Sequence, residues 1–385
     1  MKENVKVKKK LNFQYFSNIT KGVDSKSLCI YLLVIFIAVF GCIMVYSASS
    51  YIASYRYGNA YFYLTKQIVG VVLGILAMTF FSLIDYQKLK KFEWWIVGLS
   101  FVLLALVFIP GIGVENYGAK RWLNLGLFTI QPSELAKFAL VLFSAAYLSE
   151  NYEKIGKFKT CFPVLGVGLG YCALIILEPN MSITMCTGLI MIFMLFVGGM
   201  KMKHFVFLGV PATLAVPALI IAEPYRIQRF MAFLNPWASP QGEGFQLIQS
   251  LYSLGSGGLF GVGLFNSRQK YMFLPFSESD FIFSIIGEEL GLFGAICLLI
   301  TFGILIYLLI GVAKNAHDRF GALLSLGVAS VIAIQVILNV AVVTGSIPPT
   351  GLPLPFISAG STSLVVFMSA IGVVLNINKQ SKSRV

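Results

Sequence analysis

The stretch FIFSIIGEELGLFGAICLLITFGILIYLLIG (residues 281–311) is apolar along almost its whole length. A helix of about 20 apolar residues spans the hydrocarbon core of a bilayer, so this stretch predicts a transmembrane helix. It carries two adjacent carboxylates, Glu288 and Glu289, inside the apolar run. Charged groups at such depth are costly and usually line a cavity or pair with a partner. Glu288 and Glu289 therefore either line a functional cavity, or only orient helices, or extend to the membrane interface.

Apolar runs of similar length recur along the 385 residues. The chain is 57% hydrophobic and only 12% charged, with a mean hydropathy of +0.83. So few charges would not cover that much apolar surface in water, and the composition therefore predicts an all-α integral membrane protein. About ten transmembrane helices are expected, at residues 28–48, 67–84, 94–110, 134–148, 161–177, 181–199, 205–222, 281–311, 321–344 and 361–377.

Positive charge is distributed unevenly between the segments that connect these helices. With the N-terminus inside, the inner segments carry most of the 29 Lys and Arg residues, which is the bias that orients membrane proteins. Both termini are therefore predicted to be cytoplasmic. The net charge of +13 is explained by topology and anionic lipid, so no nucleic-acid partner is expected. The predicted organisation is a basic cytoplasmic tail (1–27), a polytopic membrane domain (28–377) and a short cytoplasmic tail (378–385).

The outer segments are longer and chemically richer than the inner ones. They are expected at residues 49–66, 111–131, 223–280 and 345–360, and the largest of them, 223–280, is an extracytoplasmic loop between helices 7 and 8. Irregular backbone near membrane depth persists only where protein or water satisfies its polar groups. The sequence therefore predicts a site on the outer side. The six cysteines form no CxxC pair, and neither a disulfide nor a metal role is expected for them.

Acid–base chemistry on the outer side would depend on residues other than histidine. Both histidines, His204 and His317, fall in predicted inner loops, so an outer base must be a carboxylate, a lysine or a tyrosine. Asp280 stands where the largest outer loop meets the helix at 281–311. A helix N-terminus favours a carboxylate, so Asp280 is either a general base or only the N-cap of that helix.

The segment QPSELAK (131–137) opens another predicted span. Pro132 suits a first helical turn and Glu134 suits its N-terminus. Lys137 follows Glu134 by three residues and enters the apolar helix. The pair is either mutually neutralising and structural or a cation placed below an anionic headgroup.

Several cations fall in predicted outer segments, where the positive-inside bias predicts few, so their presence there requires an explanation. Guanidinium groups bind phosphate in a bidentate manner, and contact with lipid headgroups at the interface is the alternative. The residues alone fit either an enzyme that acts on a lipid-linked substrate or a transporter. The outer cations in question are Lys120, Arg121, Arg226, Arg229, Arg268 and Lys270.

Several segments taken together resemble the SEDS family, which comprises FtsW, RodA and SpoVE proteins. The resemblance covers about residues 28–377, and its motifs are specific only in combination. PFSESDFIFSIIGEELG (275–291) and TGLPLPFIS (350–358) are nearer to FtsW and SpoVE than to RodA. The other segments are GAKRWLNLG (118–126), QPSELAK (131–137), LEPN (177–180), FLNPWASPQGEGFQLIQS (233–250) and GGLFGVGLFNSRQKYMFLP (257–275).

The resemblance implies ten transmembrane helices and a peptidoglycan glycosyltransferase that polymerises lipid II at the outer face of the bacterial cytoplasmic membrane. It implies a class B penicillin-binding protein as partner, together with other division or sporulation proteins. It places the family's essential aspartate at Asp280 and its Glu–Lys pair at Glu134 and Lys137. The further residues expected to bind substrate or to support the cavity are Lys120, Arg121, Arg268, Lys270, Glu288, Glu289 and Ser358.

The expected reaction is an inverting displacement with undecaprenyl diphosphate as leaving group. A divalent cation, Mg²⁺ or Mn²⁺, is an additional candidate to balance the diphosphate charge, and no organic cofactor is expected. A lipid II flippase and a non-catalytic division scaffold are the alternatives. The chain also departs from the family: the usual Pro-Glu-x-x-Thr-Asp is Pro275-Phe-Ser-Glu-Ser-Asp280, and the usual ISYGGSS is ISAGSTS (357–363).

Overall fold

The computed structural model describes residues 25–116, 119–124, 126, 129–221, 224–349 and 351–383. The predicted basic tail therefore lies almost wholly outside the described residues. At the other end the last helix continues through 378–383, so most of the predicted C-terminal tail extends that helix.

A helix lies over each of the ten stretches predicted to span the membrane. The helices are α1 (Ser25–Tyr57), α2 (Phe62–Leu83), α3 (Tyr86–Lys91), α4 (Glu93–Leu106), α5 (Pro132–Glu150), α6 (Phe162–Leu177), α7 (Met181–Val197), α8 (Met202–Ile221), α9 (Pro224–Leu234), α10 (Phe245–Gly257), α11 (Ile282–Lys314), α12 (Arg319–Val343) and α13 (Ser361–Ser383). Within the described residues, six are long and apolar enough to cross a membrane: α1, α2, α6 with its preceding 3-10 turn, α11, α12 and α13. The membrane class agrees with these helices, and the count of ten spans stays a prediction.

The prediction of an outer loop at residues 49–66 is wrong for most of these residues, which are helical. Helix α1 continues to Tyr57, and α2 begins at Phe62. Polar and aromatic residues suggested a loop there, but neither type breaks a helix. The break comes at Gly58, whose φ of 65° suits a residue without a Cβ.

The predicted outer segment 111–131 contains a small antiparallel sheet. Its strands are β1 (Gly113–Asn116), β2 (Ala119–Asn124) and β3 (Thr129–Ile130), in the order β1-β2-β3. The last strand leads directly into α5, so the sheet lies at the N-terminal end of that helix. The largest outer segment, residues 223–280, also contains ordered elements, namely α9 and α10.

Glycines let α2 and α13 pack at very short distance. A Cβ at Gly74 would lie 2.4 Å from the sulfur of Met368, and one at Gly372 would lie 2.3 Å from the carbonyl oxygen of Met78. Small residues at helix crossings are the common way for membrane helices to gain van der Waals contact, because lipid offers no hydrophobic driving force between them. The approach brings the start of α13 next to the start of α2.

Helix α11 is interrupted at Gly291, where φ is 69° and ψ is −172°. Residues 258–263 run beside the interruption. The amides of Val262 and Gly263 donate to the carbonyls of Glu288 and Glu289 at 2.9 and 3.0 Å. The loop thereby satisfies backbone groups that the broken helix leaves unpaired, and it fixes the two glutamates beside the interruption of α11.

Two glycines of α11 provide a matched test of this break. We expect Gly291→Ala to destabilise the protein by about 2–4 kcal/mol, because alanine is strained at that backbone conformation. Its Cβ would also lie 2.3 Å from the amide nitrogen of Gly261. Gly303 lies in the regular part of the same helix, and a Cβ there would meet no atom within 4 Å, so Gly303→Ala should be neutral or slightly stabilising. Thermal unfolding in detergent compares the two, and equal shifts in Tm would contradict the role of Gly291.

Candidate active site

Asp280 belongs to a turn that precedes α11 and is held by the loop before α13. The hydroxyl of Ser358 donates to the carbonyl of Ser279 at 2.6 Å. The amide of Ala359 donates to the carbonyl of Glu278 at 2.9 Å. Two consecutive carbonyls of the turn are therefore fixed by a segment that follows much later in the chain, which makes the turn a rigid platform.

A polar side chain of α12 completes this support. The side-chain amide of Asn339 donates to the backbone carbonyl of Asp280 at 2.8 Å and to that of Leu352 at 2.6 Å. Asn339 thereby joins the turn before α11 to the loop before α13. The structure also corrects the N-cap alternative: α11 begins at Ile282 with Phe281 at the cap position and no side-chain cap, so the Asp280 carboxylate is not used in that way.

Asp280 is half-buried, and the space beside its carboxylate is limited. A Cβ on Gly351 would lie 3.1 Å from Asp280 Oδ2, and Gly351 has a φ of 77°, so a residue without a side chain suits this position. Burial, and next the charge of Glu278, raise the pKa of Asp280 to about 6, while Arg121 and Arg229 act in the opposite direction. A carboxyl with such a pKa is ionised at neutral pH and is a stronger base than an ordinary aspartate.

Glu134 and Lys137 form a fully buried ion pair at the start of α5. The Lys137 ammonium donates to Glu134 Oε1 at 2.8 Å and to Gln335 Oε1 at 2.6 Å, and both charged side chains have no exposed surface. Ser363 donates to the other oxygen of Glu134 at 2.8 Å. The ring of Phe367 lies 5.4 Å from the Lys137 nitrogen. Each charge is thus compensated where it is buried, as burial requires.

The ion pair and the Asp280 turn share one scaffold. Gln335, which accepts from Lys137, donates to the carbonyl of Pro353 at 2.8 Å. Asn339 stands one helical turn further along α12 and holds Asp280. Sequence reasoning missed both α12 side chains, although two amides four residues apart in an apolar helix form a polar stripe on one face.

Arg121 reaches the site from strand β2. Its guanidinium donates to the carbonyls of Glu178 and Pro179, at 3.2 Å in the first case. Its positive charge acts to lower the pKa of Asp280. Lys120 precedes it on the strand, at the point where the pairing of β2 with β1 shifts register.

A second buried network involves Glu289. The carboxylate accepts from Lys270 at 3.2 Å and from the hydroxyl of Ser47 at 2.6 Å. Lys270 is 5% exposed and also donates to the carbonyl of Phe265 at 2.6 Å. Lys270 therefore compensates a buried glutamate and ties residues 265–270 to α1 and α11.

Glu288 also holds this loop, by accepting two hydrogen bonds from it. Its carboxylate accepts from the hydroxyl of Ser267 at 2.5 Å and from the backbone amide of Arg268 at 2.9 Å. The side chain of Arg268 is exposed. The structure therefore places Glu288 and Glu289 as anchors of residues 265–270 and leaves the guanidinium of Arg268 at the surface.

An apolar groove of about 820 Å³ runs between α2, α4, α5, α12 and α13. Ile130 and Thr362 lie at the end of the groove nearest the starts of α5 and α13, and Thr362 is adjacent to Ser363, whose hydroxyl donates to Glu134. The groove thus ends beside the buried ion pair. Side chains along its length include Leu73, Leu99, Phe138 and Val366.

The chain matches known proteins over nearly its whole length. The family model described as cell cycle protein, for FtsW, RodA and SpoVE, matches residues 27–383. The chain is 41% identical over 368 residues to stage V sporulation protein E of Bacillus subtilis, covering 94% of this chain and 100% of that protein. It is 37% identical over 369 residues to a probable peptidoglycan glycosyltransferase FtsW of Geobacter sp. strain M18, covering 94% and 99%.

Solved structures show the same fold. A chain of a peptidoglycan synthase complex, in which polymerisation and crosslinking are coordinated, superposes with a TM-score of 0.77 at 28% identity, covering 92% of this chain and 98% of that chain. The rod shape determining protein RodA of Thermus thermophilus superposes with a TM-score of 0.67 at 25% identity, covering 92% and 96%. The protein therefore belongs to the FtsW/RodA/SpoVE family of cell cycle proteins.

Proposed function

We propose that this protein is a peptidoglycan glycosyltransferase that polymerises lipid II at the outer face of the cytoplasmic membrane, with Asp280 as its general base. The observation that carries the proposal is the Asp280 carboxyl, fixed on a braced turn with a pKa raised to about 6. The names of the relatives support the reaction class, since several are probable peptidoglycan glycosyltransferases.

The geometry suits one displacement. Asp280 accepts the proton of the GlcNAc 4-hydroxyl of one lipid-linked substrate as that oxygen attacks the MurNAc anomeric carbon of the other. A new glycosidic C–O bond forms, the C–O bond to the diphosphate breaks, and undecaprenyl diphosphate leaves with its electron pair. One such displacement inverts the anomeric centre. The base is ionised above about pH 6, so polymerisation should decline as pH falls through that value.

The leaving diphosphate needs positive charge. The positive charge of Arg121 acts to lower the pKa of Asp280, and we assign this guanidinium to the diphosphate. Lys137 and Lys270 are each paired with a buried glutamate. They would therefore stabilise the diphosphate through their positive charge and without direct contact. Arg268 offers an exposed guanidinium.

Two further residues keep roles that fit this arrangement. Lys120 stands beside Arg121 on β2 and adds positive charge to the same strand. Ser358 acts by holding the turn, since its hydroxyl donates to the carbonyl of Ser279. Glu134, Glu288 and Glu289 act through the cations and loops that they hold.

A divalent cation would add to these charges. Within the described residues, no group of three or more His, Cys, Asp or Glu side chains comes together as a metal site. Mg²⁺ and Mn²⁺ favour phosphate oxygens and water with only one or two protein carboxylates. We therefore propose that any such cation enters with the diphosphate, and that its chemistry is neutralisation of the leaving group.

The apolar groove suits the polyprenyl chain of the substrate. Its outer end lies beside the Glu134–Lys137 pair, so a tail in the groove would leave the headgroup near the outer surface. We expect the double variant Leu73→Trp/Val366→Trp, which fills the groove, to raise the KM for lipid II about three- to tenfold with little change in kcat.

The control for this prediction is the double variant Ile304→Trp/Ile337→Trp, whose side chains are exposed on α11 and α12 outside the groove. It should leave KM unchanged. A lipid II analogue with a short tail should be insensitive to both double variants. Equal KM values for all three proteins with full-length lipid II would remove the groove from the proposal.

Partners follow from the relatives. One structural neighbour is a chain of a peptidoglycan synthase complex, and the relatives include a sporulation protein and FtsW proteins. We propose that this protein works with a class B penicillin-binding protein and other division or sporulation proteins.

A lipid II flippase would need a route for the headgroup at the inner end, where polar contacts close the bundle. Asp318, before α12, accepts from Tyr86 at 2.7 Å and from Gln87 at 2.8 Å. Gln380 of α13 donates to Asp85 at 2.8 Å. These contacts join α3, α12 and α13 and favour the transferase over the flippase.

The test uses the purified full-length protein in nanodiscs with labelled lipid II, Mg²⁺ and penicillin, with and without the candidate penicillin-binding protein. A ladder of glycan polymer on a gel is the expected result. Absence of polymer under both conditions would overturn the transferase assignment. Vesicles with labelled lipid II would then measure headgroup translocation, and a negative result there would leave the scaffold.

A further inference from the structure

A second apolar groove lies between α1 and α2. Its volume is about 400 Å³, which is within the range of pockets that hold a ligand. Ile43 and Tyr46 of α1, Ile68 and Val72 of α2 and Phe265 of the loop before α11 are among its walls. Ile43 is 40% exposed and Ile68 is 46% exposed, so this α1–α2 groove opens at the lateral surface of the helix bundle.

The end of the α1–α2 groove at Tyr46 and Phe265 is fixed by buried polar contacts. The rings of these two residues meet edge to face, with centroids 6.0 Å apart. The ammonium of Lys270 donates to the carbonyl of Phe265 at 2.6 Å and to the hydroxyl of Ser47 at 3.2 Å. Phe265 has a φ of 66°, a costly conformation for a bulky residue, so the contacts of Lys270 hold its backbone in place at the groove.

Positive charge is present at the same end of the α1–α2 groove. Lys270 is paired there with Glu289. Arg268 follows Phe265 by three residues, its backbone amide is held by Glu288 at 2.9 Å and its side chain is exposed. Guanidinium groups bind phosphate oxygens in a bidentate manner. An apolar groove that ends beside such a cation is complementary to a molecule with a long apolar tail and an anionic phosphate headgroup.

Helix α2 separates the α1–α2 groove from the larger groove of about 820 Å³. Val72 lines the first and Leu73 lines the second. The side-chain amide of Gln67, which is 1% exposed, donates to the carbonyl of Ser358 at 3.3 Å. Ser358 is the residue whose hydroxyl holds the Asp280 turn. The helix that forms a wall of both grooves is therefore bonded to the loop that fixes the proposed base.

Helix α1 connects the α1–α2 groove to the Asp280 turn by a second route. The hydroxyl of Ser277, in that turn, donates at 3.3 Å to the carbonyl of Ala48, two residues after Tyr46. A Cβ on Gly41 would lie 2.8 Å from the Cα of Ile357, so α1 also packs closely on the loop before α13. Molecules held by their tails in the two grooves would thus bring their headgroups to one turn from different sides of α2.

The proposed reaction joins two lipid-linked substrates, a donor whose diphosphate leaves and an acceptor whose 4-hydroxyl attacks. Arg121, which we assign to the leaving diphosphate, lies on β2. Strand β2 pairs with β3, and Ile130 of β3 lines the larger groove. The larger groove is therefore the one associated with the donor, and the acceptor needs a separate place for its tail.

We propose that the α1–α2 groove binds the polyprenyl tail of the acceptor, with Arg268 as a contact for the acceptor's diphosphate, while the larger groove binds the tail of the donor. The inference rests on the proposed function. Separate grooves let both substrates bind at once, and they hold the attacking hydroxyl and the anomeric carbon at the same turn, which lowers the entropic cost of bringing them together.

The first test uses substrates that are restricted to one role. Lipid II with a 4-deoxy GlcNAc can only donate, and lipid II with a methylene group in place of the anomeric oxygen can only accept. We expect Ile43→Trp/Ile68→Trp, which fills the α1–α2 groove, to raise the KM for the acceptor about three- to tenfold, with little change in kcat or in the KM for the donor. Leu73→Trp/Val366→Trp should raise the KM for the donor alone.

The control is Ile304→Trp/Ile337→Trp, whose side chains are exposed outside both grooves. It should match the wild type in both KM values, and Tm is recorded for every protein. An unchanged KM for the acceptor in a well-folded Ile43→Trp/Ile68→Trp protein would overturn the inference. So would a rise in the KM for the donor alone in that variant.

A second measurement does not depend on activity. Undecaprenyl diphosphate with a diazirine in its tail is photocrosslinked to the protein in nanodiscs, and labelled peptides are identified by mass spectrometry. We expect labelling of α1 around Ile43, its loss in Ile43→Trp/Ile68→Trp, and its displacement by unlabelled lipid II but not by the same amount of phosphatidylglycerol. Equal displacement by phosphatidylglycerol would make the groove a site for ordinary membrane lipid and overturn the inference.

Failure of this inference and failure of the proposed function are distinguishable. Polymerisation without labelling of α1 would remove the α1–α2 groove and leave the transferase. Labelling of α1 that lipid II displaces, in a protein that forms no polymer, would support the groove as a binding site and overturn the transferase assignment.

Discussion

Asp280→Asn should abolish lipid II polymerisation, with a loss of about 10²–10⁴-fold in rate. Removing a positioned general base costs this much in enzymes, and both histidines of the chain fall in predicted inner loops, where neither could replace it. Asparagine has nearly the shape of aspartate and keeps the backbone carbonyl that accepts from Asn339. We therefore expect the variant to fold normally, with unchanged thermal stability and unchanged binding of lipid II.

Initial rates from a gel assay with labelled lipid II measure the effect, with Tm recorded for each protein. Asp280→Glu should retain partial activity, because it keeps a carboxylate but displaces it toward Gly351, where space is limited. Glu153→Gln is the matched removal of a carboxylate at an exposed inner position. Normal polymerisation by a well-folded Asp280→Asn protein would move the base to another residue.

Lys137→Met should cost about 3–5 kcal/mol of stability, because it leaves the Glu134 carboxylate buried without its cation. The pair is entirely inaccessible and the ammonium also holds Gln335. Since Gln335 holds Pro353 in the loop that braces the Asp280 turn, we also expect reduced polymerisation. Thermal unfolding in detergent and the gel assay together measure both effects.

A surface ion pair provides the control. Lys90 and Glu150 lie 3.0 Å apart, but their side chains are 29% and 57% exposed, so Lys90→Met should change stability by less than about 1 kcal/mol. The double variant Glu134→Gln/Lys137→Met removes both buried charges and should recover part of the loss. Equal Tm shifts for Lys137→Met and Lys90→Met would show that burial of the pair does not matter.

Local sequence patterns predicted most of the helices. Apolar runs near 20 residues placed α11, α12 and α13 within a few residues of their observed positions, because spanning length and backbone satisfaction in lipid depend on the run alone. The same approach ended α1 too early. Its last turns carry polar residues such as Arg56, and composition does not reveal that a helix continues until Gly58 allows it to stop.

The candidate site was predictable only in part. Asp280, Glu134 and Lys137 were identified from their positions at helix starts and from the family resemblance. Gln335 and Asn339 were missed, although their spacing on an apolar helix was a usable signal. Glu278 received no role from the sequence, because nothing local shows that it is buried and that one of its carboxylate oxygens has no hydrogen-bond partner among the described residues.

The membrane class, the approximate helices, the expected orientation and the candidate base could all be inferred from the amino-acid sequence, since composition, apolar runs, the charges of connecting segments and motifs do not depend on which segments pack together. Which polar groups meet depends instead on the packed bundle. The bonds from Ser358 to the Asp280 turn and from Gln335 to Lys137 join residues 79 and 198 positions apart. Such pairings follow from how helices pack in three dimensions, and the physical properties that matter for catalysis, namely burial, opposing charge and a fixed carboxylate, arise only once those distant segments are in contact.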